Sequence, residues 1–153
     1  MGGARVRRTL SFTVAGVAAP QGSKSLLGHG ALVESSKRVA PWRTDVREAA
    51  IAAMGRAGWQ PLTGAVDVDI EVFLPRPKSH YGTGRNAQTV KHTAPTHPTG
   101  RNSGDADKIA RAILDALTSA GVWRDDSQVV DLGVSKQWAT FTPQAKVFVW
   151  GEP

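Results

Sequence analysis

Apolar and polar positions alternate most regularly between Ala65 and Leu74. Val66, Val68, Ile70, Val72 and Leu74 interleave with Asp67, Asp69 and Glu71. A period of two predicts a half-buried strand. Its three acids need no ligand, because a solvent-facing strand surface accounts for them. Thr9 to Val17 predicts an earlier strand, with Leu10, Phe12 and Val14 on one face. The breaker-rich run Pro20-Gln21-Gly22-Ser23-Lys24 predicts a turn. Gly30 to Ser35 then predicts a short second strand forming a hairpin.

The period changes to the helical one at Pro41 to Gly58. Val46, Ala49, Ala50, Ala53 and Met54 make an apolar stripe, and Pro41 suits a first turn. Trp42 and Trp59 bracket this helix and are read as packing residues rather than base-stacking ones. A second helix is predicted after Gly104. Ile109, Ile113 and Leu117 recur at i, i+4 and i+8, Ala110, Leu114 and Ala116 widen the face, and Gly121 stops it. Gln128 to Trp138 predicts a strand with Val130, Leu132 and Val134 on one face and Asp131, Ser135 and Gln137 on the other. Ala145 to Trp150 predicts the last strand, Val147 and Val149 opposing Phe148 and Trp150.

The order β, β, α, β, loop, α, β, β predicts an α+β fold. Two helices pack on a mixed or antiparallel sheet in a single domain, 1–153. The segment between Pro75 and Gly104 has no period. It carries Arg76, Lys78, Arg85, Lys91 and Arg101, three histidines (His80, His92, His97), and no Asp or Glu. A run of this length inside a small domain is functional or disordered. The expectation is a basic, flexible loop that grips a polyanion through Arg76, Lys78 and Arg101 and orders on binding. The histidines lack metal-ligand spacing.

Candidate chemistry concentrates from Gly104 to Val130. Asp105 and Asp107 stand where the second helix begins, and capping of its free N–H groups is the first reading of them. A second acidic pair, Asp125 and Asp126, follows the helix. Mg2+ takes oxygen ligands, keeps several waters, and is held by one or two carboxylates with substrate phosphate. Two or three clustered Asp fit that demand, and without a cation they repel one another. A helix separates the pairs. They meet only if the following strand returns past the helix N-terminus, or across a dimer.

The run Asp105, Asp107, Lys108, Ile109, Arg111, Asp115, Ala116, Leu117, Thr118, Gly121, Val122, Asp125, Asp126 resembles the signature of the RusA-type Holliday junction resolvases, particularly their phage-encoded members. Weaker echoes are Pro20 to Lys24, Leu74 to Lys78, and Lys136. The resemblance implies a homodimeric, Mg2+-dependent (or Mn2+-dependent) endonuclease that cuts four-way DNA junctions by paired nicks. It implies Asp105, Asp107 and Asp126 as catalytic metal ligands. A family lysine one turn into the helix corresponds to Arg111. Arg keeps the charge and can clamp phosphate, but it is no proton donor at neutral pH. A common family Asn corresponds to Lys108, which adds a positive group near the scissile phosphate. Lys24 is a further DNA-contact candidate. Two alternatives stay open: a non-catalytic nucleic-acid-binding module, in which Asp115 pairs with Arg111 at i, i+4, and a nuclease acting on other branched DNA.

Charge supports a nucleic-acid partner. Nineteen Lys and Arg against 13 Asp and Glu give a net charge of +6, with a pI near 10.2. The absence of Cys excludes disulfides and thiolate metal sites. No apolar run reaches membrane-spanning length, and the start, MGGARVRRTL, lacks the apolar core of a signal peptide. The expected compartment is the cytoplasm of a bacterium or phage-infected cell.

Overall fold

The computed structural model describes residues 6–22, 25–26, 32–33 and 37–153. Expectations placed on Ser23, Lys24 and most of 30–35 lie outside them. Four strands form one sheet: β1 (Arg8–Ala15), β4 (Val66–Leu74), β5 (Val129–Trp138) and β6 (Gln144–Gly151). Their order is β1-β6-β4-β5. β6 pairs antiparallel with β1 and β4, while β4 and β5 are parallel, so the sheet is mixed. The expected second strand is represented by β3 (Leu32–Val33). It pairs with β2 (Ser25–Leu26), a strand not foreseen, in a separate two-stranded ribbon.

Two helices cover one face of the sheet. α1 (Val39–Ala57) lies against β1 and against α2 (Ala106–Ala120), and α2 lies against β5. The alternation read from sequence sets the core. Leu10, Phe12 and Val14 of β1, Val66, Val68, Ile70, Val72 and Leu74 of β4, and Ala145, Val147 and Val149 of β6 are buried. They pack with Val46, Ala50 and Ala53 of α1 and Ile109, Ile113 and Leu117 of α2. Trp42 and Trp59 are both buried, as expected of packing residues, and Trp59 Nε1 donates to the Val122 carbonyl at 3.1 Å. Gly58 and Gly121 end the helices in the left-handed region, at φ 59° and 85°.

Strand β5 departs from the simple alternation. Val66 pairs with Val129 and Asp67 with Asp131, which leaves Val130 as an extra residue. This bulge turns Val130 outward, at 69% exposure, and Val129 packs on the core instead. Beyond it, Leu132, Val134, Lys136 and Trp138 align with the inward residues of β4.

The 75–104 segment folds through three single 3-10 turns, Lys78–His80, Gly84–Asn86 and Arg101–Ser103, and a Tyr81–Val90 bridge. Among the described residues, no helix is long and apolar enough to cross a membrane.

Candidate active site

The start of α2 is set by Gly104. Its φ is 81°, and a Cβ there would lie 2.9 Å from Pro20 Cγ. Only glycine permits both the backbone angle and that approach. Gln21 N donates to the Lys108 carbonyl at 3.0 Å, which fastens the Pro20 turn to the first turn of the helix.

Asp105 occupies the N-cap position with extended backbone, yet its side chain makes no cap hydrogen bond. The side chain is 68% exposed, and Lys108 Nζ stands 3.5 Å from it. Asp107 lies in the first turn and is exposed, with no hydrogen-bond or ion-pair partner among the described residues. The structure therefore does not use either carboxylate to close the helix end. Both stand at the amino-terminal end of α2.

Lys136 reaches the same place from β5. Its ammonium donates to the Gly104 carbonyl at 2.8 Å and to the Ser103 hydroxyl at 3.1 Å. Sequence reasoning had assigned this residue no role. The signal was a cation on the apolar face of a strand, in phase with Leu132, Val134 and Trp138.

The second acidic pair separates into two tasks. Asp125 caps the turn Asp126–Gln128: its carboxylate accepts from the Ser127 hydroxyl and from Ser127 N, while Gln128 Oε1 accepts from Asp125 N at 2.9 Å. The Ser127 hydroxyl first, and then the Ser127 N–H, hold the Asp125 carboxyl below its ordinary 3.8. Gln128 Nε2 also donates to the carbonyls of Leu62 and Gly64, at 2.9 and 3.0 Å, which staples the turn to the chain before β4. Asp126 is exposed, and its side chain has no such engagement among the described residues.

One chain does not bring the two acidic pairs together. α2 has 15 residues and is about 22 Å long. β5 runs back along it, so Lys136 is near the helix start and Asp126 near the helix end. Of the two routes the sequence left open, the strand start does not return past the helix N-terminus. Among the described residues, no three of His, Cys, Asp and Glu group as metal ligands.

The cationic candidates also differ in what engages them. Arg111 is exposed and unpaired among the described residues, because Asp115 faces Arg43 of α1 at 3.9 Å instead. The Asp115–Arg111 pair expected of a binding module is not formed. Lys78 and Arg101 are exposed on their turns, with no side-chain partner among the described residues. Arg76 is committed within the protein. Its guanidinium lies 5.0 Å from the Trp138 ring centroid and donates to the Pro95 carbonyl at 3.1 Å. Trp138 Nε1 donates to that same carbonyl at 3.0 Å. Lys24 lies outside the described residues.

The profile of the family described as Endodeoxyribonuclease RusA matches residues 17–149. Over 88 residues the chain is 33% identical to a Bacillus subtilis protein named YqaN, covering 58% of each. Over 54 residues it is 44% identical to proteins named crossover junction endodeoxyribonuclease RusA, from Escherichia coli K12 and from Enterobacteria phage 82. That alignment covers 35% of this chain and 45% of each of those proteins. The chain thus spans about half the length of the curated relatives it matches.

Proposed function

The chain belongs to the RusA endodeoxyribonuclease family, and from that premise we propose that it is a metal-dependent endonuclease that resolves four-way DNA junctions by paired nicks as a homodimer. The observation that carries the reading is the pair Asp105 and Asp107, turned outward at the start of α2 and spared from capping.

The donor set fits a hard divalent cation. It offers carboxylate oxygens and no sulfur, and two carboxylates with water and phosphate satisfy Mg2+ or Mn2+. Asp105 and Asp107 would hold the ion, with Asp126 of the partner subunit. Such an ion supplies an activated water and neutralises charge on the phosphate. Lys108 and Arg111 clamp phosphate oxygens near the cut, and Lys78, Arg101 and Lys24 hold the DNA arms through their backbones. A guanidinium is a permanent cation, so the part of Arg111 is charge stabilisation rather than proton transfer.

Two features support the dimer. β5 is an edge strand, and Val130 and Leu132 are exposed along it. An open apolar edge invites a second copy. If two β5 strands paired antiparallel about a two-fold axis, the start of each would lie beside the end of the other, where Lys136 ties down the start of α2. Asp126 of the partner subunit would then approach Asp105 and Asp107. Two such sites match the two-fold symmetry of a four-way junction.

The test is a labelled four-way junction incubated with the protein in Mg2+ or in EDTA, beside a linear duplex. Symmetric nicks on the junction alone, only in Mg2+, are expected. Junction that is bound but left uncut in Mg2+ and Mn2+ would instead identify a non-catalytic binding module.

A further inference from the structure

A cavity of about 390 Å3 is lined by the turn Arg101–Ser103, which leads into α2. It lies at the carboxyl ends of the parallel strands β4 and β5, whose last residues, Leu74 and Trp138, line it. Crevices at that end of parallel strands are where α/β folds bind ligands. Ser103 lines it too and accepts from Lys136, so the cavity and the start of α2 share a wall.

The lining has a definite chemistry. Trp138 and His80 meet edge to face, with ring centroids 5.3 Å apart. The Pro95 carbonyl, which receives both Trp138 Nε1 and Arg76, fixes that wall in place. Among the described residues, the charged side chains of the lining are Arg38 and Arg101. Asn102 and Thr99 add an amide and a hydroxyl. Flat rings, neutral donors and acceptors, and the Arg101 guanidinium suit a nucleotide. The volume is within the range of small-ligand sites, roughly 300–1,000 Å3.

We propose that this cavity receives one nucleobase of the branched DNA, turned out of its stack beside the scissile phosphate. The proposal rests on the reading of the chain as a junction endonuclease. A paired base inside a duplex cannot reach such a pocket. Extrusion costs least for a base already unpaired or unstacked, the state that opening of the branch point on the protein would create. Stacking on the Trp138 and His80 wall offsets that cost without demanding a particular base. The Arg101 guanidinium then meets the phosphate of the extruded nucleotide.

The test places 5-iododeoxyuridine at each position flanking the cut, binds the junction in EDTA, irradiates, and maps the crosslinks. One position is expected to crosslink to Trp138 or His80. An abasic nucleotide at that position is expected to weaken junction binding about ten-fold. Thr99→Trp, at an exposed lining position, is expected to fill the cavity. It should lower kcat/KM on junctions ten-fold or more while affinity for linear duplex stays unchanged. Crosslinks confined to residues outside the cavity, or wild-type cutting by Thr99→Trp, would overturn the pocket while junction cutting by the wild type preserved the endonuclease reading. A wild type that neither cuts nor retains the junction would overturn that reading, and the pocket with it.

Discussion

Lys136 donates to the carbonyl of Gly104 at 2.8 Å, across 32 positions of sequence. One bond thereby ties the edge strand to the residue before Asp105. A hydrogen bond from a charged donor contributes about 1.5–3 kcal/mol. Lys136→Met is expected to lose stability at the low end of that range, read by denaturant melts. It is also expected to slow single-turnover cleavage more than ten-fold, because Asp105 loses its anchor. Unchanged cleavage would remove Lys136 from the site.

Asp107→Asn should abolish cutting and leave junction binding intact or tighter, because it deletes a metal ligand and one negative charge near phosphate. Asp126→Asn should also abolish cutting. Mixing the two variants discriminates the site's architecture. In a heterodimer with shared sites, one site pairs intact Asp105 and Asp107 from one subunit with intact Asp126 from the other, so nicking returns. With sites confined to single chains, the mixture stays inactive.

Asp125 and Asp126 should respond oppositely. Asp126→Asn is expected to melt like the wild type and cut nothing. Asp125→Asn is expected to lower Tm, because it removes the cap on the Asp126–Gln128 turn. The folded carboxyl of Asp125 lies below its ordinary 3.8, so the stability it contributes is complete above that value. It is lost as pH falls below it, through the folded pKa. The Tm gap between wild type and Asp125→Asn should therefore be full near neutrality and close in strong acid. A gap that persists there would show that the shift has another origin.

Gly104→Ala is expected to destabilise the protein by about 1–3 kcal/mol and to reduce cutting with it. The φ of 81° and the 2.9 Å approach of Pro20 leave no room for a Cβ. Gly100→Ala is the control, since a Cβ there meets nothing within 4 Å. Thermal melts of the pair measure the difference.

Arg76 and Lys78 should also differ despite their proximity. Lys78→Ala is expected to weaken DNA binding evenly across sequences and to reduce the salt slope by about 1. Arg76→Ala removes the Trp138 contact and the Pro95 hydrogen bond, so it should lower Tm first. Salt titrations and melts on both variants separate the two outcomes.

Much of this molecule was legible in the sequence because it is local. Alternation gave β1, β4 and β6, the helical period gave α1 and α2, and Gly58 and Gly121 marked their ends. The spacing from Asp105 to Asp126 pointed to the family. Other features were not local. The bulge at Val130 arises from pairing with β4, and Arg43 rather than Arg111 faces Asp115 because α1 packs on α2.

The sequence by itself determined which carboxylates are available and which elements carry them. Only the tertiary structure decided how far apart they stand. β4 and β5 are parallel neighbours, so the connecting helix has to run back before β5 begins. That return puts Asp126 at the opposite end of α2 from Asp105 and Asp107, and brings Lys136, far along β5, to the helix start instead.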